Sequence, residues 1–364
     1  VEQLNDLGAS AIVFDMVFSQ PDRLSPVNLQ KWLPQGLEFE KARQSLLELG
    51  DTDELFAQTV DGAYVVTGFA MTGRETTETA PAIKAGFAEN GDRAAPYLPA
   101  YAGAMKVLSN IESKVAGNGA LNAIPESDGV YRRIPMCMTL NDTIYPSLVA
   151  ESLRVAQDAS TFIIQAVGAS GEEGFGETGL VSFKVGAVKV PTDENGQIWV
   201  RFTGDIPERY VPAWKLLDGS APAEKLEGHI VLIGTSAAAM KDLRATPLDP
   251  AAAGVSLHAE ALETILTGNF LNRPDFAHGL EVVASFLLGL LLIWLLPKWG
   301  SVWCAVLTFV AIVGVVGGAW YAFDVYNWLL DPIYFSVVIL VVYLTQSLLI
   351  FLATEAERSR VRGA

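Results

Sequence analysis

Three apolar runs, Gly279 to Leu296, Val302 to Phe323 and Pro332 to Ala353, constrain everything that precedes them in the chain. A helix rises about 1.5 Å per residue, so about 20 apolar residues cross a hydrocarbon core about 30 Å thick. The second and third runs meet that length outright. The first is shorter, needs Phe276 and Ala277 to complete it, and places Glu281 near the headgroups. Buried core helices are the alternative, but three such runs joined by turns of a few residues leave no polar face for water. The sequence therefore predicts three transmembrane helices, at 279–296, 302–323 and 332–353 within a membrane segment of residues 276–353.

The charges between the runs orient them. Lys298 lies in the first turn, and Arg358, Arg360 and Arg362 follow the third run, whereas the second turn, Asp324 to Asp331, has no Lys or Arg. Positive charge in short loops stays on the cytoplasmic side. The Lys298 turn and the tail 354–364 are therefore expected inside, as the start of a connector, and residues 1–275 outside. Trp294, Trp299, Trp303, Trp320, Tyr321, Trp328 and Tyr334 cluster at the run ends, where amphipathic rings anchor at the interface. A domain placed outside needs an export signal, and none opens this sequence; a further membrane helix ahead of Val1 is expected on that ground.

Composition fits this division. The formal charge is −16. From Gly279 onward four cations stand against Glu281, Asp324, Asp331, Glu355 and Glu357, a net of −1, which leaves −15 for the outer domain. So acidic a domain is no partner for nucleic acid or anionic lipid, both of which need a basic footprint. Cys137 is in the outer domain and Cys304 in a membrane run, so the spacing predicts no disulfide within the chain.

The outer domain alternates strands and helices. Ala9 to Phe14 and Ala63 to Ala70 read as buried strands with helices Phe39–Leu49 and Asp53–Thr59 between them, the α/β signature. Thr72 to Ala95 reads as a disordered surface insertion, and Asn118 to Asp128 as a Gly-, Asn- and Pro-rich loop. Gly129–Leu140, Thr161–Val167, Val181–Val190 and Ile198–Phe202 are expected strands, with Asp193–Gly196 a hairpin turn between the last two. Pro146–Ala156 and Ser256–Leu266 are expected helices, and Ile230–Ile233 is a fully apolar strand followed by Gly234, Thr235 and Ser236. The fold class is thus α/β: a mixed, largely parallel sheet flanked by helices, followed by three transmembrane helices. In open α/β sheets ligands bind outside the carboxyl ends of the strands. Asp15, Gly234, Thr235 and Ser236 are placed there, and the expectation is a single cleft in which Asp15, Ser236, Asp242 and Arg132 converge.

Several segments resemble one family. Glu126-Ser127-Asp128-Gly129-Val130-Tyr131-Arg132-Arg133-Ile134-Pro135 is the first of them. The second is Leu226 and Gly228 through Ala237, with Asp242 and Thr246-Pro247, and the third is Gly254-Val255-Ser256-Leu257-His258-Ala259. Together with the Phe14-Asp15 strand they resemble the type 2 CHASE domain, the cyclase and histidine-kinase associated sensory extracellular domain, over residues 1 to about 275. Glu126, Met240 and Ser256 depart from its commoner residues. The resemblance implies a bacterial inner-membrane, multi-pass receptor with its sensor in the periplasm, answering an unknown extracytoplasmic ligand or protein. It also implies a cytoplasmic effector, a homodimeric class III nucleotide cyclase first and a histidine or Ser/Thr kinase second. The candidate ligand-binding residues are then Asp15, Asp128, Arg132, Gly234, Thr235, Ser236, Asp242, Thr246 and His258.

Nothing in the sequence points to catalysis, to a cofactor or to a metal. The three histidines are far apart, there is no G-x-G-x-x-G, P-loop or H-E-x-x-H, and no nucleophile elbow. The expected partners are the lipid bilayer, an extracytoplasmic signal and a second copy, with a structural membrane anchor as the remaining alternative.

Overall fold

The computed structural model of the chain describes residues 1–76, 79–168, 179–236, 242–274 and 276–362. It divides into two compact units, Val1–Phe270 and Leu271–Ala364.

The first unit is built on a parallel sheet. Ala11–Phe14 lies between Ile230–Ile233 on one side and Val65–Thr72 on the other, both parallel to it, and Val65–Thr72 pairs in turn with Gly117–Ala120. The far end of Val65–Thr72 pairs antiparallel with Gly103–Met105, which makes the sheet mixed. Successive side chains of a strand face opposite ways. Ala11 and Val13 accordingly pack with Leu148 and Val155 of the helix Leu148–Ala156, while Ile12 and Phe14 pack with Ala57, Val60 and Ile111 of two helices on the other face. Being covered on both faces is why these strands read as unbroken apolar runs.

A second sheet, in the order Val188–Pro191, Leu180–Val185, Thr161–Ala166, Gly86–Asn90, closes over the helix layer. Phe162, Ile164, Phe183 and Val185 form one core with Leu153 and with Leu257, Ala261 and Ile265 of the helix Gly254–Thr267. Leu148–Ala156 is thereby enclosed, and every residue from Leu148 to Val155 is buried. Its Glu151 and Arg154 go in as a pair, Oε1 to Nη2 at 2.8 Å, with the Asn118 amide donating to the same Oε1 at 3.1 Å. A buried charge is tolerated only when paired and hydrogen-bonded in this way.

Four sequence expectations change here. Thr72–Ala95 is not a disordered insertion throughout: it carries the strand Gly86–Asn90, parallel to Thr161–Ala166, although residues 77 and 78 lie outside the described residues. Asn118–Asp128 does not begin as a loop, since Gly117–Ala120 is a fully buried strand. Its glycines serve close packing: a Cβ on Gly119 would stand 2.6 Å from Leu148 Cα, and one on Gly117 2.8 Å from Val155 Cγ2. Asp193–Gly196 joins no hairpin, because Gln197–Trp199 pairs with Arg133–Pro135 instead. Finally, Pro146 ends a strand, and Ser147, accepting from the Ala150 amide at 3.2 Å, caps the helix that follows.

Two helical elements of the second unit, Phe276–Tyr326 and Pro332–Arg362, hold stretches long and apolar enough to cross a bilayer, where the sequence reading has three runs. The first is interrupted at Gly300, whose φ of 78° and ψ of 166° are not helical. A straight 51-residue helix would be about 77 Å long. Yet Asn272 just before the element donates to the carbonyl of Asn327 just after it at 2.9 Å. The chain therefore turns back at Gly300, which brings Leu288 and Val315 into one cluster with Phe335 and Ile339.

Candidate functional site

The carboxyl ends of Ala11–Phe14 and Ile230–Ile233 adjoin, and the chain leaves the first for Val65–Thr72 on the opposite side. That is a switch point, the place where an open α/β sheet leaves a crevice. Asp15 extends the first strand by one residue, its amide donating to the Ile233 carbonyl at 2.9 Å. Gly234, Thr235 and Ser236 follow the second, with Ser236 exposed and the other two half-buried. Residues 237–241, and Met240 with them, lie outside the described residues.

The start of the Gly254–Thr267 helix fills this crevice. A Cβ on Gly234 would stand 2.5 Å from Val255 Cβ, so glycine is what lets the helix reach the strand end. Leu243–Arg244 pairs antiparallel with Ala252–Ala253, and the Gly254 amide donates to the Asp242 carbonyl at 2.9 Å. This brings the Asp242 side chain against Gly254 at the positive end of the helix dipole. One turn on, His258 Nε2 lies 3.7 Å from Asp15 Oδ1, with the two side chains 5% and 7% exposed. That separation is too long for a hydrogen bond. His258 Nδ1 is also buried without a partner among the described residues.

An arginine completes the cluster. Arg244 pairs with Asp242 at 3.1 Å, donates to the Tyr131 hydroxyl at 2.9 Å and stacks its guanidinium 5.4 Å above the Tyr131 ring. Burial pushes the Asp15 carboxyl up from its ordinary value and neighbouring Asp242 adds to this, against the opposing pull of His258 and Arg244. Burial likewise pushes the His258 imidazole down, aided by Arg244 and opposed by Asp15 and Asp242. Both groups are thus driven towards their neutral forms.

Asp15, Asp242 and His258 come together, a set that differs from the expected cleft of Asp15, Ser236, Asp242 and Arg132. Arg132 does not join them: it makes a bidentate pair with Asp128, at 3.0 and 2.8 Å, which braces the turn before it. That pairing and the Val130 amide hold the exposed Asp128 carboxyl down at about 2. Thr246 is taken up by its own turn, its hydroxyl receiving the Asp249 amide at 3.1 Å. The members that the sequence reading missed are Arg244 and Tyr131. Asp242 and Arg244 are two apart on an extended segment, a spacing that places both on one side and was available as a signal. Among the described residues no three His, Cys, Asp or Glu side chains are placed to hold a metal ion.

The chain thus joins an α/β domain, with a buried charge cluster at the switch point of its parallel sheet, to helices long and apolar enough to cross a membrane. The CHASE2 domain model matches residues 1–315, and the chain belongs to that family. The CHASE2 domain is a sensory extracellular domain of signalling receptors. No curated protein and no solved structure matches the chain.

Proposed function

We propose that this chain is the sensory and membrane module of a bacterial receptor, with residues 1–275 outside the cytoplasm and three crossings leading to a cytoplasmic effector. The reversal at Gly300 carries this reading. With the chain turned back there, the apolar segments run 276–299, 301–326 and 332 onward, an odd number. Lys298 and the Arg358 tail then share one side and the Asp324–Asp331 turn the other, as the positive-inside rule requires. The switch-point cluster is the site where the sensor receives its signal, and residues 1–275 carry out no chemistry. The effector of first choice is a class III nucleotide cyclase working as a homodimer, supported by the resemblance of the Arg358 to Ala364 ending to the approach of cyclase catalytic domains. Expression of the complete gene in a cyclase-deficient bacterium tests it. Cyclic AMP production is the expected result, while autophosphorylation without cyclic nucleotide reassigns the effector to a kinase.

A further inference from the structure

The Asp15–His258 pair is nearly closed to solvent, and neither of the two cavities described, about 270 Å³ beside Phe87 and Thr143 and about 280 Å³ beside Thr354 and Arg358, reaches it. Among the described residues the two side chains are almost wholly enclosed, which leaves little surface for a small molecule to touch, whereas a proton needs none. Among the described residues the charged groups that face the pair are Asp242 and Arg244, from the Leu243–Arg244 strand and its approach, with Arg244 bonded to the Tyr131 hydroxyl. Asp242 and Arg244 already compensate each other at 3.1 Å. Asp15 and His258 are left with 3.7 Å between them and, among the described residues, an unpartnered Nδ1, so no hydrogen bond seen there locks either one into a single protonation state.

We infer that the Asp15–His258 pair is a proton-sensing element, through which acidification of the extracytoplasmic medium shifts the Gly254–Thr267 helix against the end of the parallel sheet. The inference rests on the sensor reading and gives it a stimulus. With an ionised Asp15 carboxylate and a neutral His258 imidazole the pair carries one net negative charge. One proton taken from bulk water brings the pair to net zero, as an ion pair or as two neutral groups. The two titrate as a unit, and the macroscopic step belongs to both. A charge-assisted contact is about 2.8 Å long, so forming one from 3.7 Å draws the helix and the strand end about 1 Å together. Such a shift cannot be absorbed locally, because Val255 already rests on Gly234 and Gly254 on Asp242. The same helix ends at Gly268, two residues before the first unit ends at Phe270.

The test is hydrogen exchange on the full chain in lipid nanodiscs at pH 7.5 and 5.0, corrected for intrinsic rates, with peptides covering 228–236 and 254–267. We expect a severalfold change in protection of 254–267 that is lost in both His258→Asn and Asp15→Asn. Should either variant fail to fold, NMR of the His258 ring in the otherwise native chain, with His229→Gln and His278→Gln to remove overlap, reads the proton uptake directly. Unchanged protection in the native chain overturns the inference, as does a change that survives in both folded variants or a His258 ring that takes up no proton between these pH values. The sensor reading fails on a different observation, residues 1–275 facing the cytoplasm, so the two outcomes are distinguishable.

Discussion

Asn272 and Asn327 stand at opposite ends of a 51-residue helical element and are joined backbone to backbone at 2.9 Å. Leu329 returns the contact by donating to the Asn272 carbonyl at 2.8 Å. The apolar segment is therefore a closed hairpin, and its two ends lie on one side.

In the proposed topology both ends of this hairpin lie outside the cytoplasm. Single cysteines at Asn195 and Asn327, in a background without Cys137 and Cys304, are expected to react with an impermeant thiol reagent in intact cells. One at Ser359 is expected to stay unreacted until the cells are opened. The reverse labelling pattern would sink the orientation.

The turn depends on Gly300. A Cβ there meets nothing within 4 Å, so space is not the constraint; its φ of 78° with ψ of 166° is a conformation open essentially to glycine alone. Gly300→Val should cost about 1–3 kcal/mol locally. The readout is disulfide formation between Asn272→Cys and Trp328→Cys in the cysteine-free chain, which should fall sharply when Gly300 is replaced.

Gly234→Ala tests the contact between strand end and helix start. Its Cβ would overlap Val255 and should destabilise the first unit by about 1–3 kcal/mol, the usual cost of overpacking. In a Val255→Gly background, which removes the Cβ that the new methyl would meet, Gly234→Ala should lose less in a thermal melt. An undiminished loss would mean that the helix is not seated on Gly234.

Breaking the buried Glu151–Arg154 pair should be the most damaging single change. Arg154→Ala leaves a carboxylate that is 1% exposed without its partner, at an expected cost of about 3–5 kcal/mol. Arg132→Ala is the control. Its partner Asp128 is exposed, and the melting temperature should hardly move.

The dependence of stability on pH follows from two opposed shifts. His258 is depressed below its ordinary 6.5, so its contribution is fully present above pH 6.5 and is lost as the pH falls towards its folded value. Asp15 is raised above 3.8, so its contribution is present below that pH and is lost as the pH rises through its folded value. Melts of the native chain should weaken between pH 7 and 5 relative to His258→Asn. Above pH 7, Asp15→Asn should be the more stable protein.

The sequence-legible part of the fold is the part whose signal is local. Ala11–Phe14 and Ile230–Ile233 announce themselves because both faces of the parallel sheet are covered and each strand is apolar throughout. Gly117–Ala120 does not, because its glycines answer to a helix about thirty residues further on and by composition read as loop. The same limit applies to the site. Asp15 and Ser236 are legible as strand-end residues, but the choice between Arg132 and Arg244 is made by pairing: Asp128, four residues away, claims the first, and Tyr131 reaches across the fold to the second.

The seam at Asn272 changes the effective wiring of the membrane unit. Glu281 accepts from Arg273 at 2.9 Å and from the Asp331 amide at 2.9 Å, beside the backbone bonds from Asn272 to Asn327 and Leu329. Residues 272 and 273 are thus fastened to the segment that opens the Pro332–Arg362 helix, a rod of 31 residues and about 46 Å. Tension on this segment arrives at the head of that rod across a handful of polar contacts and need not travel the fifty residues of chain between them.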